Sequence, residues 1–327
     1  MNYDIFNGDA DGICALHMLR LHAPASHQLI TGVKRDIELL RKVPASASSA
    51  LLVLDISLDT NAGELQRLLD GGARITWFDH HAAGCTALRK HSRLQLHCDT
   101  SHDVCTSILV DRHLQGRYRP WAVVGAFGDN LEVVAHMLAR SLALPADVTS
   151  ALQQLGQVLN YNAYGECISD LQIAPSDLYK AISLHQQPAS FLQSALYHDL
   201  LDGYTSDCAR LHNLQAHWRC QGNAVYLLPA TPWARRISGV LANQLANSRS
   251  GNAYAVILER SDGDYLVSVR SPQPDSHSAS QLCAEFPSGG GRKAAAGINR
   301  LPYADLERFI DRFSAYFRAD TVSSHAS

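Results

Sequence analysis

No two cysteines of the 327-residue chain are spaced as C-x-x-C, and Cys14, Cys85, Cys98, Cys105, Cys167, Cys208, Cys220 and Cys283 lie scattered along it. That scatter speaks against a zinc ribbon and against a secreted disulfide scaffold, so reduced thiols in a cytoplasmic protein are expected. A basic excess is missing too: 28 Lys and Arg stand against 31 Asp and Glu, a formal charge of -3. Gripping long nucleic acid through many phosphates requires the opposite balance, whereas a small anion needs only a local basic patch. Met1-Asn2-Tyr3-Asp4 opens no basic stretch leading into an apolar run, and no later segment approaches about eighteen uncharged apolar residues. Nothing here directs the chain into a membrane, and no internal repeat is visible.

What is present is a chain of 46% hydrophobic residues, long enough for a substantial core and for two domains. Up to residue 80, short apolar runs alternate with helical patterns: Tyr3 to Phe6, Ile13 to Leu21, Leu29 to Val33, Leu51 to Ile56, Leu65 to Leu69 and Ile75 to Phe78. This order reads as βαβαβ, hence an α/β domain with a parallel sheet and helices on both faces. From about Ser101 to Leu192 the spacing is mostly helical, with breaks at Gly116 to Pro120, Pro145, Pro175 and Pro188, completing a first domain over 1–190. A helical linker is expected over 191–219. Strands are expected at Ala224 to Leu228, Tyr254 to Glu259 and Tyr265 to Val269, the last two flanking an Asp262-Gly263 hairpin turn. With helices at Ile237 to Ala246 and Leu306 to Phe317, they describe a smaller mixed α+β domain over 220–318. The tail at 319–327 has no apolar periodicity and is expected to be disordered.

The acids fall in register with this pattern. Asp9 and Asp11 follow the first strand, Asp55 ends a later one, and Asp79-His80-His81 ends the next. In open α/β sheets that edge is where ligands bind. Four carboxylates and two imidazoles gathered there would repel one another unless cations filled the space, and carboxylates with imidazole and no thiolate suit Mn²⁺ or Mg²⁺, with manganese preferred. Each motif also has a plainer reading. Asn7-Gly8-Asp9-Ala10-Asp11-Gly12 imitates a calcium loop, but position twelve is Met18 instead of the bidentate Glu. Asp11 or Asp55 could merely cap the following segment, and adjacent histidines are often surface features. The shared strand-end position is what weighs against those readings. Arg270 at a strand end could be an ordinary surface arginine, and Gly289-Gly290-Gly291 a flexible turn. Followed by Arg292-Lys293 and small residues, that run lets backbone amides approach a phosphate closely. Asn162-Ala163-Tyr164-Gly165-Glu166 beside a helical segment reads as packing or capping.

Taken in order, Asp9-Ala10-Asp11-Gly12, Asp55 in Val-Leu-Asp-Ile-Ser, Asp79-His80-His81 and Asp129 in Phe-Gly-Asp-Asn resemble the four motifs of the DHH phosphoesterases, a superfamily of RecJ-like exonucleases, nanoRNases and cyclic-dinucleotide phosphodiesterases. Val269-Arg270-Ser271 and Gly289-Gly290-Gly291 resemble the Arg-Ser pair and glycine signature of the DHH-associated C-terminal domain. The resemblance spans nearly the whole chain. It implies two divalent ions bridged by Asp55, with Asp9 on one side and Asp11, His80 and Asp129 on the other, catalytic roles for Asp55, Asp79 and His81, and His81 at the phosphate or steadying the transition state. It also implies a substrate-binding cap carrying Arg270, Ser271, Gly289, Gly290, Gly291 and Arg292. Two departures stand out. Where the family supplies the first metal with a further His or Asp, this chain has Ile5 and Asn7, and where its glycine signature ends in His, this chain has Arg292.

The implied activity is manganese-dependent hydrolysis of very short oligonucleotides to mononucleotides, diribonucleotides such as linear dinucleotides from cyclic messengers included. The ions would activate a water for in-line attack on phosphorus. No long nucleic acid is expected as partner, and a homodimer is compatible with the sequence. Two other readings are kept open: a hydrolase of cyclic dinucleotides or small phosphate esters, and a non-catalytic nucleotide-binding regulator motivated by Asn7 and Arg292. Loss of turnover with Asp55→Ala separates enzyme from binder.

Overall fold

A computed structural model describes residues 1–44, 50–81, 84, 88–248 and 251–318. The tail at 319–327, expected to be disordered, lies outside them. The chain forms two compact units that divide between Tyr204 and Thr205.

The first unit contains β1 (Tyr3–Phe6), α1 (Ala10–His22), β2 (Gln28–Ile30), β3 (Ala50–Leu54), α2 (Ala62–Asp70), β4 (Arg74–Asp79), β5 (Leu94–Cys98), α3 (Thr106–His113), α4 (Arg119–Gly128), α5 (Glu132–Ser141), α6 (Ala146–Tyr161), α7 (Pro175–Ile182) and α8 (Pro188–Phe191), and α9 (Ala195–Leu211) carries the chain across the division. The strands pair in parallel in the order β2-β1-β3-β4-β5. Alternation along the central strands feeds two cores, as a sheet covered on both faces requires. Phe6, Leu54 and Phe78 point into one core with residues of α1, α3, α4 and α6. Ile5, Val53 and Trp77 point into the other with Leu65, Leu68 and Leu69 of α2. Strand β5 escapes the sequence reading, because Leu-Gln-Leu-His-Cys is a short edge strand whose Leu94 alone is buried.

Helix α1 has no polar face. Every residue from Ala10 to Met18 is buried. Among them is His17, whose Nε2 hydrogen-bonds the His185 carbonyl at 2.8 Å and whose ring meets Trp121 edge-on, centroids 4.6 Å apart.

The second unit holds β6 (Trp218–Cys220), β7 (Asn223–Leu228), α10 (Pro232–Asn247), β8 (Tyr254–Glu259), β9 (Tyr265–Arg270), α11 (Ala279–Ala284), β10 (Gly289–Gly291), β11 (Ala295–Leu301) and α12 (Leu306–Phe317). Its sheet runs β10-β11-β9-β8-β7-β6, with β7 and β8 parallel and the other pairs antiparallel. Gly263 sits at φ +87° in the β8–β9 turn, the left-handed conformation that glycine takes freely. The glycine run is not a turn: it is the edge strand β10, and the small residues after it begin β11. Gly289 is there because a Cβ would fall 1.8 Å from the Cys283 carbonyl oxygen, so close packing on α11 demands a residue without a side chain.

Burial holds His17 down to about 4 from 6.5, so between those values the unfolded chain takes up a proton that the fold refuses. Stability is therefore complete above that window and falls as pH drops through it, by about 3 kcal/mol in all at ~1.4 kcal/mol per unit. Urea unfolding of His17→Gln is expected to show a shallower dependence on pH there, by up to one proton.

Candidate metal centre

The carboxyl ends of β1, β3 and β4, adjacent strands of the sheet, supply the centre. After Phe6 the chain turns sharply into α1. Added Cβ atoms at Gly8 and Gly12 would lie 2.1 Å from the Gly32 carbonyl oxygen and 2.3 Å from that of Asn7, so both positions require glycine. Asp9 caps α1, accepting the Gly12 amide at 3.0 Å. Asp11, fully buried in the first turn, accepts the Thr106 and Ser107 amides at 2.7 and 2.8 Å and so also caps α3 from a distance. Asp55 leaves β3 at φ +59°, a conformation Asp tolerates better than most residues and one that recurs at functional sites. The Thr106 hydroxyl donates to its Oδ1 at 3.1 Å. Asp129 closes the C-terminal end of α4.

His80 is oriented as a ligand. Its Nδ1 lies 2.9 Å from the Val104 carbonyl, which can only accept, so Nδ1 carries a proton and Nε2 is the ring nitrogen turned toward the acids. Nε2 faces Asp55 Oδ1 at 3.4 Å and Asp129 Oδ2 at 3.9 Å. His81 bonds buried Asp79 through Nδ1 at 2.6 Å, and ligand atoms of Asp55, His80 and His81 all lie within 4.8 Å of one another.

Lys34, four residues beyond β2, enters the same space. Its ammonium contacts Asp9 directly, lies 3.8 Å from Asp129 Oδ1, and donates to Asn160 Oδ1 at 3.1 Å. Burial works against its charge, but Asp9, Tyr164 and Asp129 hold the amine well above its usual range. The same contact overcomes burial at Asp9 and lowers its carboxyl. Asp55 has no such partner: burial, together with the charges of Asp9, Asp11 and Asp129, drives its carboxyl well above the usual range. Asp129 is raised mainly by burial, against the pull of Lys34 and His80.

This donor set suits a hard divalent ion at Asp55, His80 and Asp129: two carboxylates, an imidazole nitrogen already aimed, and excess negative charge. Buried Cys14 and Cys105 are held as thiols by burial and by nearby Asp11, so no thiolate competes. At Asp9, the expected place of another ion, the donor set is poorer. Ile5 is fully buried in the second core and offers no donor. Asn7 gives its amide hydrogen to the Lys34 carbonyl at 3.2 Å, and its buried Oδ1 has no hydrogen-bond partner among the described residues.

In the second unit, the antiparallel register sets Arg270 opposite Ala295 and Gly291 opposite Ala296, so Arg270 and the β10–β11 connection bearing Arg292 share one corner of the sheet. Arg270 donates to Asn243 Oδ1 at 3.1 Å. The Ser271 hydroxyl donates to the His277 carbonyl at 2.5 Å and its amide to the Ala294 carbonyl at 2.9 Å, contacts that hold the loop together.

Sequence reasoning missed Lys34, Thr106 and Asn160. None carries a motif, and a lone lysine after a short strand gives no signal. The 162–166 segment, without a mechanism in the sequence, proves to be the wall behind Lys34: the Ala163 carbonyl accepts the Lys34 amide at 2.8 Å, and the Tyr164 ring lies 5.7 Å from its ammonium.

The raised carboxyl of Asp55 means that the metal-free fold is weakened by this group above the unfolded carboxylate value and recovers as pH falls through the folded one. Asp55→Asn keeps the shape and tolerates the left-handed backbone. In EDTA at neutral pH it is expected to raise the unfolding free energy, and Mn²⁺ is expected to stabilise it less than the parent. Urea titrations with and without the metal measure both.

No family model matches the chain, and no curated protein does. Solved structures do. The manganese-bound exonuclease RecJ aligns over 97% of this chain and 90% of its own, with 18% identity and a TM-score of 0.63. RecJ from Thermus thermophilus with Mn²⁺ aligns over 97% of this chain at 18% identity and a TM-score of 0.56, and this chain spans 52% of its length. The pGpG-specific phosphodiesterase PggH from Vibrio cholerae aligns over 98% of this chain and 100% of its own, at 13% identity and a TM-score of 0.56. At such identities the likeness is one of fold: this chain has the fold of RecJ and PggH, the DHH phosphoesterase fold that its motifs resemble.

Proposed function

We propose that this chain is a metal-dependent phosphodiesterase that hydrolyses very short oligonucleotides, diribonucleotides foremost, to mononucleotides with manganese. The observation that carries the reading is the joint geometry of two histidines. His80 aims its Nε2 between Asp55 and Asp129, while adjacent His81 is tied to Asp79 through Nδ1, which leaves its other ring nitrogen for a substrate. An ion held by Asp55, His80 and Asp129, with Asp11 beside them, would supply Lewis acidity toward a phosphoryl oxygen and a water acidified to near neutrality. Against the effect of burial, Asp79 raises the affinity of His81 for its proton, so the ring can stand as a cation and donate to the phosphate as charge develops.

Support for a phosphodiester comes from RecJ and PggH, an exonuclease and a pGpG-specific phosphodiesterase, and manganese is supported by the RecJ structures and by the donor set. The formal charge of -3 favours short substrates over long ones. Arg270, Arg292 and the β10 amides of the second unit are proposed to bind the substrate's phosphate or base. No helix among the described residues is long and apolar enough to cross a membrane, and the proposed setting is the cytoplasm.

Product analysis on labelled di- to decamer RNA and DNA, with cyclic dinucleotides alongside, tests this in Mn²⁺ and then in EDTA. Metal-dependent release of mononucleotides from the shortest strands is expected. Preferential opening of cyclic dinucleotides would transfer the activity to them, and silence throughout would leave a binding protein. His81→Ala is expected to lower kcat by roughly 10²-fold with metal binding intact. Asp79→Asn lets the proton affinity of His81 fall, so the decline of activity at high pH is expected to begin at a lower pH than in the parent. Arg292→Ala is expected to raise KM or alter substrate preference without loss of metal.

A further inference from the structure

We infer that the Lys34 ammonium permanently occupies the place of one of the two cations, so that the centre takes a single divalent ion between Asp55, His80 and Asp129. This inference rests on the metal-dependent reading above and concerns how many ions that reading requires.

Four observations converge on Lys34. Its Nζ contacts Asp9, the carboxylate expected to serve the first ion, and stands 3.8 Å from Asp129. Asn160 accepts a further ammonium hydrogen at 3.1 Å, so the head group is held from more than one side. Its backbone is fixed as well: the Lys34 amide donates to the Ala163 carbonyl at 2.8 Å, and its carbonyl accepts from Asn7 at 3.2 Å. Finally, of the two positions that by the resemblance would complete a first metal site, Ile5 is buried entirely in the second core and Asn7 offers only a neutral amide oxygen.

Charge argues the same way. Asp9, Asp11, Asp55 and Asp129 carry four negative charges at full ionisation. One ammonium and one divalent ion leave a single negative charge, whereas a second divalent ion beside the lysine would turn the pocket positive and press two cations together over Asp9. A lysine cannot polarise a bound water as a metal does, but beyond the hydrogens given to Asp9 and Asn160 it keeps one further donor and a fixed positive charge. Asn7 then has a clear part. It closes the loop over Lys34, and its neutral oxygen adds no charge to the pocket.

The test counts ions and needs no turnover. Full-length protein stripped with EDTA is dialysed against saturating Mn²⁺, and bound manganese is measured by elemental analysis beside the electron paramagnetic resonance spectrum. One ion per chain and the spectrum of an isolated Mn²⁺ are expected, and Lys34→Arg is expected to retain one. Lys34→Met, which keeps the length and removes the charge, is expected to admit a second ion and exchange-coupled lines. Two ions in the parent protein would overturn the inference while leaving the phosphodiesterase reading in place. A single ion in Lys34→Met, with its fold verified by circular dichroism, would also overturn it, and no ion in the parent would remove both readings. Since the parent measurement needs no variant, misfolding of Lys34→Met leaves the inference open to refutation.

Discussion

Like charge crowded out of water is the constraint from which this centre follows. Asp9, Asp11 and Asp55 are almost entirely buried, and Asp129 closes the group, so their repulsion has to be met by groups fixed in place. The protein meets it unevenly. Asp11 receives two backbone amides, Asp9 receives an ammonium, and Asp55 receives the Thr106 hydroxyl and faces the His80 Nε2. The uneven distribution leaves Asp55 as the place where a divalent ion gains most by binding.

The remaining architecture keeps these groups where they are. Parallel strands buried on both faces end together, so residues distant in sequence reach one edge without long loops. Helix α1 is buried from Ala10 to Met18, which fixes the position of Asp9 and Asp11 against α3. The Val104 carbonyl, at the approach to α3, orients the His80 ring, so the same stretch of chain positions both an acid and a histidine.

Much of this was legible in the sequence because it depends on pattern. Alternating apolar runs give the parallel order, and acids placed at the ends of β1, β3 and β4 give the site. What escaped depends on tertiary contact. Strand β5 has too few buried residues to register, and the triple glycine of β10 looks like a turn until the closeness of α11 explains it. Lys34 illustrates the limit best: its meaning lies in Asp9, Asn160 and Tyr164, none of them near it in sequence. Ile5 and Asn7 were visible as departures, but what replaced the missing ligand was not.

The bonds from Asp11 to the Thr106 and Ser107 amides carry a consequence for the history of such a chain. The acid is a helix cap as well as a member of the metal centre, so selection for folding alone suffices to preserve it. Under the proposed function, a descendant that abandoned catalysis could shed His81, which is partly exposed, together with the charge of its buried partner Asp79. It could not shed Asp11 so easily. Among related sequences, then, retention of the first acidic motif is a record of folding, and the state of the second histidine is the more direct record of whether chemistry is still performed.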